Sequence, residues 1–315
     1  MYGVFSCVNL FLCYNSAMKK RLIAIIAALA VAVTALVAFA GCQSVSPQRL
    51  LLNSRPWESV DTEEYFVYDV VYSPSEGEMV NGSYTVAVKG YAAGSSLTVG
   101  DFTYENPCFY VHAELTLDNG DYIITDSVID PNIVALYGSE EKSERGTLTK
   151  YTARYNDGDC NYSYSVQNEG EEATVSEGTI GMGDFSSSAY IDNTFLYQLV
   201  RCLPSVTSSL SLSVPNFVQG TKESASVAIS STIVNEPFSN GAETAEGEDA
   251  PTVACYAVTI SLNRTFPGSG TPLICSLARD DYKLSDDASI RHMVVKMIEG
   301  ATTYTLRTVS DSIPE

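Results

Sequence analysis

The chain has 315 residues, of which 38 are Asp or Glu and 18 are Lys or Arg, so its formal net charge is −20 at pH 7. This excess of negative charge repels polyphosphates and anionic lipid headgroups, which excludes nucleic acid as an expected partner. The length allows one large hydrophobic core or two smaller ones.

Residues 18–41 have the composition of a secretory signal peptide. Met18-Lys19-Lys20-Arg21 is followed by an apolar run, residues 22–40, that contains no charged residue and ends in small residues. Residues 1–17 carry no charge and precede this well-formed start, which favours Met18 as the true first residue. A genuine apolar extension is the alternative.

The end of this segment, Phe39-Ala40-Gly41-Cys42, resembles the lipobox of bacterial lipoproteins. The resemblance implies that the Cys42 thiol carries lipid and that cleavage occurs just before Cys42. Phe39 departs from the pattern, because the family usually has Leu or another aliphatic residue there. The alternative is an uncleaved helix, since about 20 apolar residues suffice to cross a bilayer. Both readings place the remaining chain at the outer face of the cell membrane, in an extracytoplasmic location.

The part of the chain after residue 41 has a net charge of −23, because Lys19, Lys20 and Arg21 are the only charged residues before it. It contains six cysteines and no C-x-x-C pair. If Cys42 carries lipid, an odd number remains, which favours single buried thiols over a disulfide framework. Pairing of Cys255 with Cys275 is the alternative. The five remaining cysteines are Cys108, Cys160, Cys202, Cys255 and Cys275.

Residues 42–60 are polar and irregular and are predicted to form a tether to a single β-rich domain, residues 61–315. From Glu63 onwards, apolar and polar residues alternate as in β-strands. Turn sequences such as Asp118-Asn119-Gly120 and Asn156-Asp157-Gly158-Asp159 separate successive alternating segments. Asn-Gly and Asp-Gly favour the positive φ angles of tight hairpins. The first half is therefore predicted to be an antiparallel meander.

One segment, residues 192–203, breaks this rhythm and predicts a helix. Asp192 suits the N-cap position, and Phe195, Leu199 and Leu203 share one apolar face. Pro131 to Leu136 is a candidate for a short second helix. Alternation resumes after residue 210 and continues to the last hairpin, which ends near Val309.

The pattern predicts a mainly β (α+β) fold with about eleven strands in one large, curved antiparallel sheet that is half-barrel-like. The helix at 192–203 must bury its apolar face, and the concave face of the sheet is the expected place.

A lipid-bearing Cys42 before a strand-rich body with an inserted helix resembles the Lol-type half-barrel envelope lipoproteins and a related uncharacterised envelope family. Within the helix, the residues that carry the resemblance are Asp192, Leu196, Tyr197, Leu199, Arg201 and Leu203. In that uncharacterised family an acidic residue begins a helix that closes with a Leu-Arg-x-Leu-like ending. In this chain one extra residue separates Leu199 from Arg201 in that ending. The resemblance implies a scaffold whose concave face holds an acyl chain, a lipoprotein or another apolar ligand.

The candidate catalytic residues are few, because the chain has only two histidines. His112 and Glu114 share a strand face, but no nucleophile accompanies them, and a polar outer face explains both. Asp280, Asp281, Asp286 and Asp287 lie within eight residues without the EF-hand spacing, which indicates an acidic connection. No catalytic residue, metal or cofactor is therefore predicted.

Three functional hypotheses follow. The first is a non-enzymatic, membrane-anchored lipoprotein that binds an apolar ligand or an envelope protein on its concave face, with Phe195, Leu199 and Leu203 over the groove. The second is a structural or interaction protein of the cell surface without a pocket. The third is a hydrolase in which His112 and Glu114 meet a distant Ser or Asp.

Overall fold

The computed structural model describes residues 55–57, 59–183, 189–203, 210–242, 250–262 and 272–314. The predicted signal peptide, the lipobox with Cys42 and most of the predicted tether lie outside these residues. Within the described part of the chain, no helix is long and apolar enough to cross a membrane.

Fourteen antiparallel strands form one continuous sheet. The strands are β1 (Glu63–Tyr72), β2 (Val80–Tyr91), β5 (Cys108–Leu117), β6 (Tyr122–Ile129), β7 (Ala135–Glu144), β8 (Thr147–Asn156), β9 (Asp159–Asn168), β10 (Thr174–Gly181), β11 (Leu210–Asn216), β12 (Thr221–Pro237), β13 (Thr252–Leu262), β14 (Leu273–Ala278), β17 (Val294–Glu299) and β18 (Thr302–Ser310). Their spatial order is β10-β9-β8-β7-β6-β5-β2-β1-β18-β17-β14-β13-β12-β11. Consecutive strands are neighbours almost throughout, as expected of hairpin connections.

Two small hairpins lie outside this sheet. They are β3 (Leu97–Val99) with β4 (Phe102–Tyr104), and β15 (Tyr282–Lys283) with β16 (Ser289–Ile290). The first hairpin covers a second, minor core on the outer face, in which Cys108, Val128 and Tyr137 are buried.

The sheet curls until its two ends nearly meet. Phe217, just after β11, packs its ring 4.4 Å from the ring of Tyr151 and 5.3 Å from that of Tyr162, which belong to β8 and β9. The Lys222 ammonium at the start of β12 donates to the carbonyl of Met182, just after β10. Because these contacts join elements near the two ends of the strand order, this sheet is barrel-like.

The predicted fold class is confirmed, although the large sheet has fourteen strands rather than about eleven. β7 accounts for part of the difference. Its second half, Ser139–Glu144, is polar and gives no clear alternation in the sequence, yet it pairs with β8 over its whole length and with β6 as far as Ser143. The segment Pro131–Leu136 is not helical, because Ile133 has a φ of 64° in a turn and β7 begins at Ala135.

The predicted hairpin turns have the expected backbone. Asp157 and Gly158 both have positive φ, 46° and 85°, as a tight two-residue hairpin requires. Gly120 has a φ of 89° in the turn between β5 and β6. Arg145-Gly146 forms a further turn of this kind, with φ values of 51° and 80°, although arginine gives no sequence signal for it.

The predicted helix is present as a short helical insert between β10 and β11. It consists of a 3-10 turn (Asn193–Phe195), the α-helix α1 (Leu196–Leu199) and a second 3-10 turn (Val200–Cys202). Asp192 is its N-cap and accepts a hydrogen bond from the backbone N–H of Thr194, as predicted. We refer to residues 189–203 as the insert. Its side chains belong to the same hydrophobic core as the inward-facing side chains of the sheet.

Candidate functional site

The inner face of the sheet can be followed across the strands through their register. One transverse row joins Val111, Ser127, Gly138 and Ala153, and all four residues are buried. The insert covers this row, since the Ser127 hydroxyl is hydrogen-bonded to that of Thr194. This part of the barrel interior is therefore filled by the protein's own side chains.

Asp192 anchors the beginning of the insert to this covered region. Its buried carboxylate accepts hydrogen bonds from the hydroxyls of Tyr151 and Tyr155 on β8, and from the backbone N–H and the hydroxyl of Thr194. Burial and the nearby carboxylate raise the pKa of both tyrosines well above the usual value. They therefore remain neutral hydrogen-bond donors at any physiological pH.

Gly138 makes this arrangement possible. A Cβ atom at this position would overlap the carboxylate of Asp192, so only glycine allows the carboxylate to lie directly on β7. The sequence gives no sign of this requirement, because Gly138 lies inside a strand and its neighbour in space is 54 positions away.

Arg201 anchors the end of the insert. Its guanidinium is 1% exposed and forms a bidentate ion pair with Glu64 of β1, with N···O distances of 2.6 and 3.0 Å. The remaining N–H groups donate to the side-chain oxygen of Gln198 and to the carbonyls of Arg291 and His292. Every donor of the guanidinium is thus satisfied, which a buried arginine requires.

Trp57 completes this second anchor. Its indole N–H donates to Glu64 at 2.9 Å, and its ring lies 5.0 Å from Phe109 and 6.3 Å from Phe195. The guanidinium of Arg201 lies 5.6 Å from the centre of the Trp57 ring. Trp57 is 1% exposed, so the described end of the predicted tether is packed into the barrel.

The three residues predicted to contact a ligand lie together in this covered region. Phe195, Leu199 and Leu203 are 1%, 0% and 1% exposed, and all belong to the main core. The structure thus brings them together, but it encloses them. Their role as ligand contacts stays a prediction, and a ligand could reach them only if the insert moved.

Nearer the other end of the barrel, the inner face is less covered. Two further rows cross strands β6 to β9, and their residues face the interior by register. All of them are half-buried except Tyr151, which is buried under the insert. We call this region the open rows; they consist of Ile123, Lys142, Thr149 and Val166 in one row and Thr125, Glu140, Tyr151 and Tyr164 in the other.

The open rows combine apolar, aromatic and charged groups. The ring of Tyr164 packs at the margin of the main core, and burial, followed by the charge of Glu140, raises the pKa of Tyr164. Lys142 is 31% exposed and forms an ion pair of 2.6 Å with Glu144. Leu196 and Tyr197 of the insert are also only half-buried. The combination suits an amphipathic ligand better than a purely apolar one.

His112 and Glu114 share the outer face of β5, as predicted, but each is hydrogen-bonded to another residue. Nδ1 of His112 lies 2.9 Å from Oδ1 of Asp126 on β6, and Glu114 is exposed and accepts a hydrogen bond from Thr116. The Tyr110 hydroxyl also donates to Asp126. Among the described residues, no Ser, Thr or Cys side chain is hydrogen-bonded to His112. Asp126 was not predicted from the sequence, because the cross-strand register that opposes it to His112 is not visible there.

Hydrogen bonding explains the titration of this outer-face pair. The hydrogen bond to Asp126 raises the pKa of His112, against the effect of its burial. Burial alone would raise the pKa of Asp126, but the hydrogen bonds from His112 and Tyr110 outweigh it and lower that pKa. The pair is therefore a charge-assisted contact on a convex, half-exposed face.

The five described cysteines are free, buried thiols. Cys255 and Cys275 lie on neighbouring strands but oppose Ala278 and Val258, so they are not paired with each other. Burial raises the pKa of Cys108 to about 11 and that of Cys202 to about 12. Within the described residues, no group of three or more His, Cys, Asp or Glu side chains could hold a metal ion.

No family model and no curated protein matches the chain. Among solved structures, the chain is similar to the crystal structure of a beta-barrel-like protein of a domain of unknown function, DUF1849, from Brucella abortus. The TM-score is 0.46 and the identity 8%, over 80% of this chain and 99% of the other.

Proposed function

We propose that this chain is a non-enzymatic, lipid-anchored protein of the outer face of the cell membrane that binds an acyl chain or a similar apolar group at the open rows. The observation that carries the proposal is the uneven covering of the inner face. The insert fills one part of the barrel and leaves the open rows half-exposed. Ligand sites in barrel-like folds are commonly found where the interior remains accessible.

The chemistry of the open rows supports an amphipathic ligand. Ile123, Val166 and the ring of Tyr164 offer apolar surface, while the ion pair of Lys142 with Glu144 offers a polar contact for the head of the ligand. The proposed site differs from the ligand contacts predicted from the sequence, Phe195, Leu199 and Leu203. It is the neighbouring, less covered part of the same concave face. The two anchors of the insert, at Asp192 and Arg201, explain why the insert is unsuited to act as a loose lid.

The test is mass spectrometry of lipids that remain bound to the full chain after purification in mild detergent. We expect a bound lipid in the parent protein and its loss in the variant Val166→Arg with Ile123→Glu. The matched control is Ile124→Glu with Ser165→Arg, because Ile124 and Ser165 occupy the outer face of the same two strands. Equal lipid content in all three proteins would contradict the proposal.

The membrane anchor is tested separately. We expect the chain to fractionate with membranes and to incorporate radiolabelled palmitate, and the variant Cys42→Ser to lose both properties. Membrane association without palmitate incorporation would favour the uncleaved helix instead.

A surface interaction protein without a pocket is the second candidate. The complete burial of Phe195, Leu199 and Leu203 favours it, because a filled interior makes a rigid scaffold rather than a container. An empty parent protein that unfolds cooperatively would support this candidate over lipid binding.

A further inference from the structure

The two edge strands of the large sheet, β10 and β11, differ in how far other backbone segments pair with their outer sides. At β11, residues 189–191 run parallel to the outer edge. Ile191 donates its N–H to the carbonyl of Ser213, and Ser213 donates to the carbonyl of Ala189. At β10, backbone pairing within the described residues is to β9 alone; no described strand pairs with the opposite side of β10, which we call its open edge.

The open edge of β10 lacks the features that usually prevent strand addition. It pairs with β9 in unbroken register from Thr174 to Gly181, so no bulge interrupts it. It contains no proline and no lysine, and its only charged residue is Glu177. Residues 174–179 are exposed on both faces, and Val175 is 58% exposed. Edge strands of this kind readily accept a further strand.

The charge around this edge indicates which kind of strand it accepts. Carboxylates lie on β10 at Glu177 and in the turn before it at Glu169, Glu171 and Glu172. Next to the end of β10, the ammonium of Lys222 donates a hydrogen bond to the carbonyl of Met182. A second copy of the chain would bring the same carboxylates to the edge and carries the same net charge of −20. Self-pairing is therefore electrostatically unfavourable.

We infer that the open edge of β10 is a docking site for an extended, basic segment of a partner protein, which adds to the sheet as a further strand. Backbone hydrogen bonds to residues 174–179 supply the pairing. Lysine or arginine side chains at alternate positions of the segment supply the specificity, since they face Glu177 and the acidic turn. This site is separate from the open rows and does not depend on ligand binding there.

The test uses a fluorescent nine-residue peptide of alternating lysine and valine and the full chain purified in mild detergent. The matched peptide has the same sequence but carries backbone N-methyl groups on alternate residues, which preserve its charge and prevent pairing. We expect the parent peptide to bind at least about tenfold more tightly, equivalent to about 1.4 kcal/mol. Exchange of the amides of residues 174–179 that point away from β9 is expected to slow only with the parent peptide.

Variants of the chain localise the effect. Val175→Lys with Glu177→Lys should weaken binding of the parent peptide by about tenfold or more. Glu105→Lys with Glu114→Lys makes a similar charge change at exposed positions away from β10 and should weaken it much less. Both variants keep the core intact, so their melting temperatures should match that of the parent.

Three results would overturn the inference. Equal affinity for the two peptides would mean simple charge attraction. Protection in the free protein of the amides of residues 174–179 that point away from β9 would mean that the edge is covered. A dimer that dissociates in the β10 variant would mean that a second copy occupies the edge.

Discussion

At the scale of single residues, the fold depends on polar groups buried far from any solvent. Arg201 and Glu64 are 1% and 4% exposed, and each satisfies the charge of the other. A buried ion pair of this kind contributes little net stability over an apolar pair, but the loss of one partner leaves an uncompensated charge in the core. It therefore fixes the position of the insert more than it stabilises the barrel.

We accordingly expect Arg201→Met to lower the free energy of unfolding by about 3–5 kcal/mol, because the carboxylate of Glu64 is then buried without a cation. The double variant Arg201→Met with Glu64→Gln should recover part of the loss. Arg307→Met is the matched control, since Arg307 pairs with Asp69 at 2.9 Å in an exposed position and should cost at most about 1 kcal/mol. Urea denaturation measures all three; equal losses at the two arginines would refute the prediction.

His112 allows a second prediction at this scale. Its pKa is raised in the folded protein, so its contact with Asp126 stabilises the fold below the unfolded pKa of about 6.5. That contribution is lost as the pH rises through the higher folded pKa. NMR titration of the ring should give a midpoint above that of a free histidine, and Asp126→Asn should lower it. A midpoint that Asp126→Asn leaves unchanged would contradict the assigned cause.

At the scale of elements, the insert is too short to be stable by itself. α1 has four residues and is flanked by 3-10 turns, so tertiary contacts must hold it in place. Its two anchors lie at its ends: Asp192 is hydrogen-bonded to Tyr151 of β8, and Arg201 is paired with Glu64 of β1. The insert thus connects strands that are far apart in the order of the sheet, which stabilises the curl.

This arrangement predicts a strong effect at Gly138. We expect Gly138→Ala to lower the free energy of unfolding by about 1–3 kcal/mol or more, because the new methyl group overlaps the carboxylate of Asp192. Gly181→Ala, in the same sheet but with only an ordinary van der Waals contact at its Cβ, 3.9 Å from Oδ1 of Asp159, should change stability by less than about 1 kcal/mol. Thermal unfolding of the two variants side by side would show no difference if the close approach were unimportant.

At the scale of the whole molecule, the barrel is closed by side chains rather than by a complete ladder of backbone hydrogen bonds. Phe217 contacts Tyr151 and Tyr162 across the gap, while β10 and β11 remain the ends of the sheet. The insert lines the edge at β11, whereas β10 pairs with β9 alone among the residues that the structure describes. This asymmetry is the reason why we propose the β10 side for the docking of a partner strand.

The free cysteines give a prediction for the whole molecule. Burial keeps all five described thiols protonated and out of reach, so alkylation of the native protein at pH 8 should leave them unmodified. The same reagent should modify all five after denaturation without a reductant. Peptide mass spectrometry provides the measurement; a residue that reacts only after reduction would reveal a disulfide.

The sequence determined the fold class, most hairpins and the position of the insert. These features depend on local signals: the period of two in strands, Asp-Gly and Asn-Gly at turns, and the capping residue and apolar face of residues 192–203. It also indicated Asp192 and Arg201, although without their partners.

Only the tertiary structure decided what those residues contact. The partners Glu64, Tyr151 and Tyr155 lie between 37 and 137 positions away in the chain, and strand register, which local patterns do not encode, sets their distances. The same holds for Asp126 opposite His112 and for β7, whose polar second half is a strand because its neighbours pair with it on both sides. Whether Phe195 covers a groove or completes a core is likewise a property of the assembled barrel, because burial depends on every strand around it.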